Sequence, residues 1–115
     1  MSDAAKVHAL ISITRLAEIT GVTPRALRYY EEAGLVQPHR TPAGVRCFTP
    51  DQCERVAMIV RLRRCDVPVD IIHDLVAGPA PSADQRARLR AVLRGRAQDL
   101  TRKLEEVAAT LAAAA

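Results

Sequence analysis

The sequence predicts an all-α fold carrying one small β element, on three observations. Residues 12–34 hold two short amphipathic segments broken at Gly21. Thr49-Pro50-Asp51-Gln52 is a helix start, with a cap, a proline at the first helical position and a Gln three residues on. From Leu93 onward, Leu93, Ala97, Leu100, Leu104, Val107, Leu111 and Ala114 recur at spacings of 4-3-4-3-4-3. That last pattern is the a/d seam of a coiled coil.

The elements follow in order. Residues 1–10 read as a frayed tail. The first helix runs over about 14–20, capped by Thr14, with Leu16 and Ile19 on its apolar side. Ala17 is small where two helices cross. Gly21 supplies the left-handed conformation that ends this helix. Thr23 caps a second helix over about 24–33, and Pro24 opens it. Leu27 is its core residue and Gly34 ends it. A small residue, a glycine four later and apolar residues after it form the helix-turn-helix pattern. The second helix of such a motif also carries Arg25, Arg28, Tyr29 and Tyr30.

Residues 37–48 hold two prolines and a glycine and read as a loop or short hairpin, a wing. The third helix begins at position 50, buries Val56, Ile59, Val60 and Leu62, and ends at Asp66. Pro68 starts a short fourth helix with a stripe of Val69, Ile72 and Leu75. Residues 78–81 read as a hinge. Ser82 and Gln85 form a second capping box that starts the fifth helix. The chain therefore divides into a tail (1–10), a winged helix-turn-helix (11–78), and a linker with a dimerisation helix (79–115).

Composition fits a chain of this kind. The 115 residues make about one domain. Net charge is +4, which favours a polyanionic partner. The excess is concentrated late: residues 1–78 carry 10 basic and 9 acidic side chains, and residues 79–115 carry 7 and 4. Placement is therefore more informative than total charge. No apolar run is long enough for a signal peptide or a membrane helix. The three cysteines read as reduced thiols of a cytoplasmic protein. No Ser/His/Asp, Cys/His or paired-carboxylate set emerges, so an enzyme is not expected.

The string RALRYYEEAGLV at 25–36, the loop ending AGVRCF, and TPDQCERVAMIVRLRRCDVPVDIIHDL at 49–75 resemble the mercuric-resistance regulator (MerR) family of bacterial transcription regulators. The resemblance covers roughly residues 11–76. It implies a winged helix-turn-helix that dimerises through an antiparallel coiled coil. It implies binding to double-stranded promoter DNA at a near-palindromic operator, distortion of the promoter spacer, and RNA polymerase on the same promoter. A small-molecule effector is left open. Two rivals remain: the DNA-binding part of a longer small-molecule-sensing regulator, and an excisionase-like architectural DNA-binding protein.

The candidate DNA contacts are Thr23, Arg25, Arg28, Tyr29, Tyr30, Arg40, Arg46 and Phe48. Arginine can grip guanine edges or phosphates with two parallel bonds. A salt bridge to Glu31 or Glu32 is the competing role for Arg25 and Arg28. Adjacent helical residues point about 100° apart, so one tyrosine belongs to the core; Tyr30 is expected on the DNA side. The family's wing motif, Gly-Tyr-Arg-x-Tyr, reads Gly44-Val45-Arg46-Cys47-Phe48 here. Arg46 is kept, Val45 has no hydroxyl, and Phe48 keeps only a ring. The family also has a glycine and a cap where this chain has Asp66 and Pro68. The dimerisation residues are Leu93, Ala97, Leu100, Leu104, Val107 and Leu111.

No cofactor is expected. Family metal sensors place thiolates at and after the dimerisation helix, and residues 76–115 hold neither Cys nor His. Cys47, Cys53 and Cys65 lack metal-ligand spacing. Arg86, Arg90 and Arg94 form an i, i+4 stripe that reads first as a solvated face.

Overall fold

The computed structural model describes residues 10–77 and 82–115. The order is β1 (Ile11–Ser12), α1 (Ile13–Thr20), α2 (Pro24–Glu32), β2 (His39–Arg40), β3 (Arg46–Phe48), α3 (Pro50–Arg64), α4 (Val69–Val76) and α5 (Ala83–Ala113). The expected tail at 1–9 and hinge at 78–81 lie outside the described residues.

Local chemistry sets the boundaries. Ser12, not Thr14, caps α1, accepting from the Arg15 N–H at 3.2 Å. The reason is that Ser12 is the last residue of a strand, so its backbone is already extended as a cap requires. Gly21 closes α1 at φ +73°, and Thr23 caps α2, accepting from the Ala26 N–H at 3.1 Å. Both α2 and α3 end in one way. Leu35 N–H reaches back to Tyr30 O at 2.9 Å across Gly34, and Val67 N–H to Leu62 O at 3.0 Å across Asp66. Gly34 and Asp66 both have positive φ. Asp66 thus takes a left-handed position that normally suits glycine. Pro68 starts α4 with no side-chain cap.

The sheet is antiparallel in the order β1-β3-β2, with Ile11 opposite Phe48 and Arg40 opposite Arg46. The hairpin reading of 37–48 holds. Strand β1 is an addition, since two residues pair with a strand far along the chain, Ile11 with Phe48 and Ser12 with Cys47, and leave no local pattern.

Leu16, Leu27, Leu35, Phe48, Ile59 and Ile72 lie fully inside one core shared by α1–α4 and β3. Val56, Val60, Leu62 and Leu75 join it as the periodicity predicts. Ile19 does not; it is exposed. Helix α5 packs its first half on this core through Leu89, Val92 and Leu93, then runs on exposed. Leu93, expected in the dimer seam, is half-buried against the chain's own core. The molecule is accordingly long, 62 × 33 × 23 Å.

Candidate DNA-binding face

Helix α2 buries Leu27 and Tyr30, three apart, and turns the opposite side outward. On that outer side Arg25, Arg28 and Tyr29 are exposed, as is Thr23 at the cap. Arg25 sits three and four residues from Arg28 and Tyr29, so the three share one surface. Among the described residues, neither Arg25 nor Arg28 has an ion pair or side-chain hydrogen bond. The expected competitors are otherwise engaged or silent: Glu31 is held by the wing, and Glu32 pairs with neither arginine.

The tyrosines reverse the expectation. Tyr30 is 6% exposed and Tyr29 is 49% exposed. Leu27 and Tyr30 share the buried face of α2, so the Tyr30 ring is a core group. Burial raises the Tyr30 phenol above its ordinary pKa, with Arg63 and then Arg64 pulling the other way. Phe48 is corrected similarly. At 1% exposure it is a core side chain, because β3 directs it toward α1 and α3. Its lost hydroxyl is consistent with that apolar setting.

Arg40 and Arg46 both meet Glu31. The Arg46 Nε donates to Glu31 Oε1 at 2.7 Å, and Arg40 Nη2 to Oε2 at 3.1 Å. Arg40 Nη1 also donates to Gly44 O at 3.3 Å. The turn is closed by Thr41, whose N–H donates to Val45 O at 2.9 Å and whose O accepts from Gly44 N–H at 2.8 Å. Gly44 has φ +82°, which a side chain would strain. Sequence reasoning missed Glu31 as a partner of the wing. The signal available was a carboxylate on the recognition helix with two arginines flanking a hairpin.

The cysteines stand apart from this face. All three are free thiols, and burial raises the Cys53 thiol above its ordinary pKa, which makes it a poorer nucleophile. Among the described residues no group of three or more His, Cys, Asp or Glu could hold a metal. None of the described helices is long and apolar enough to cross a membrane.

A two-helix motif with free arginines on its second helix, flanked by a β-wing and extended by a long helix, defines a winged helix-turn-helix regulator. The family models agree: "MerR HTH family regulatory protein" matches residues 11–78, and "MerR, DNA binding" matches residues 53–113. The chain belongs to the MerR family of transcriptional regulators. It is similar to the transcriptional regulator BrlR of Pseudomonas aeruginosa, at 35% identity over 90% of this chain and 42% of BrlR. It is also similar to the HTH-type transcriptional regulator CueR of Vibrio cholerae, at 29% identity over 84% of this chain and 70% of CueR. The chain therefore spans under half of BrlR. Among solved structures, a MerR family regulator from Bacillus cereus shares the fold at TM-score 0.72 and 23% identity, covering 90% of this chain and 75% of that one. HiNmlR, a MerR family regulator lacking the sensor domain and bound to promoter DNA, shares it at TM-score 0.69 and 19% identity, over 84% and 76%.

Proposed function

We propose that this chain binds double-stranded promoter DNA as a homodimer and regulates transcription by distorting the promoter spacer. One observation carries the reading: two arginines without protein partners among the described residues sit on the exposed face of the second helix of a winged helix-turn-helix. That end of the helix enters the major groove, where the Arg25 N–H and the Thr23 hydroxyl favour phosphate. Arg25, Arg28 and Tyr29 are the groove residues, and Arg46 meets the flanking backbone. RNA polymerase occupies the same promoter. The protein works in the cytoplasm, carries no cofactor and performs no catalysis.

The second half of α5 supports the dimer. Leu100, Leu104, Val107 and Leu111 are exposed large apolar side chains at heptad spacing. Their occupant is a second copy of the same helix, laid antiparallel. The domain boundary near residue 79 follows, although the first turns of α5 pack on the DNA-binding core. A second reading, the DNA-binding part of a larger sensing regulator, draws on the 42% share of BrlR that this chain spans.

The test is a gel-shift titration on an operator selected by the wild-type protein. Arg28→Ala removes specific binding and Arg25→Ala weakens it. Losing a bidentate grip on a base costs ~1–3 kcal/mol and relaxes preference at one position. Unchanged affinity in both variants contradicts the reading.

A further inference from the structure

We propose that Glu31 is a positioning residue that locks the wing to the recognition helix and divides its two arginines into a strut and a phosphate ligand. The proposal rests on the DNA-binding reading above. Arg40 and Arg46 stand directly opposite each other in the β2–β3 ladder. Like charges at paired positions repel. Glu31 answers that repulsion by accepting from both guanidiniums, from Arg46 at 2.7 Å on Oε1 and from Arg40 at 3.1 Å on Oε2 and 3.4 Å on Oε1. Its side chain is 21% exposed, so water and salt screen the cluster only in part.

The arginines are held differently. Arg40 gives one terminal nitrogen to Glu31 and the other to Gly44 O, at the tip of the wing. It spans helix and turn, with each terminal nitrogen already engaged by the protein. Arg46 is held through Nε alone. Among the described residues its two terminal nitrogens bond nothing in the protein. A guanidinium fixed at Nε and open at its outer edge presents a preorganised fork to a phosphate. Glu31 therefore sets where that fork stands relative to Arg25 and Arg28.

The sign of the effect separates positioning from simple charge. Glu31 is an anion beside a polyanion site, so charge alone predicts that Glu31→Gln tightens all DNA binding. Positioning predicts weaker operator binding. The experiment measures fluorescence-anisotropy affinities of the full chain for a duplex selected from a random pool and for a scrambled duplex, over a salt series. Glu31→Gln is expected to weaken operator binding on the order of tenfold, without weakening the scrambled duplex or lowering thermal stability. The slope of log K against log salt at the operator falls by about 0.9 for each phosphate that is no longer neutralised. Arg40→Gln, at a half-exposed side chain, produces a similar loss, and the double variant is no worse than either single one. Equal or tighter operator binding by Glu31→Gln, or additive losses in the double variant, overturns the proposal and leaves the DNA-binding reading standing. A wild-type protein that enriches no sequence overturns both.

Discussion

Tyr29 and Tyr30 are adjacent, with ring centroids 6.1 Å apart, yet one faces solvent and the other the core. Truncating the buried ring removes packing that no neighbour can refill. Tyr30→Ala should therefore lower stability by ~3–5 kcal/mol, as large-to-small aromatic core changes do. Tyr29→Ala should leave stability nearly unchanged and weaken operator binding. Denaturant titration and a gel shift on the two variants check this; the reverse pattern contradicts the assignment. The Tyr30 phenol also has a sign in pH. Its folded pKa is raised by burial, so the protonated form is favoured in the native state. The stability it contributes is fully present below its unfolded pKa and falls as pH rises through the folded one. Tyr30→Phe should flatten that alkaline loss. Arg25, Arg28 and their exposure were legible in the sequence because a cap and a glycine fix the helical phase. Which tyrosine turned inward was legible too, since Tyr30 lies three residues from the core Leu27, but the family resemblance pointed Tyr30 toward DNA. Phe48 was misread because its motif position pointed to DNA while β1 and α1 made it core.

At the scale of elements, the joint between α4 and α5 depends on one side chain. Gln85 accepts from Ser82 N–H at 2.8 Å through Oε1, and its Nε2 donates to Asp74 O at 3.2 Å and Ala77 O at 2.9 Å. It thus satisfies an N-terminal donor of α5 and carbonyls at the end of α4 together. Gln85→Ala should cost about 1 kcal/mol, the typical worth of a lost cap, and raise amide exchange in the first turn of α5. Hydrogen exchange followed by mass spectrometry checks it; unchanged protection there means the joint is held otherwise. The capping box itself was readable from Ser82 and Gln85, because its partners are local. The tie to α4 was not, since it depends on where two helices end in space. Strand β1 and the packing of Leu93 against the core were hidden for the same reason. Each depends on a partner far along the chain, while the heptad pattern runs through Leu93 without a break. Asp66 was legible as a left-handed residue because it stands where the family has a glycine, and Asp tolerates that conformation better than most residues.

The whole molecule is a folded head with a helix of 31 residues, whose apolar seam is covered only along its first turns. At ~1.5 Å rise per residue such a helix extends well past the head. Leu104 is 69% exposed in one chain, in the middle of the bare stretch. Burying a leucine contributes about 1.5–3 kcal/mol, and a symmetric interface counts each substitution twice. An unpaired carboxylate in that seam costs several kcal/mol more per chain. In the proposed dimer each recognition helix reads a half-site, and the two half-sites lie about two turns apart. Loss of the seam should therefore abolish tight operator binding even with Arg25 and Arg28 intact. Sedimentation equilibrium of the protein mixed with its selected operator duplex tests this directly, because it reports how many chains each duplex holds. Two wild-type chains per duplex, together with a monomeric Leu104→Asp variant that no longer sediments with the operator, is the predicted result. A single wild-type chain on the full operator, or a Leu104→Asp variant that remains dimeric and bound, would contradict the account.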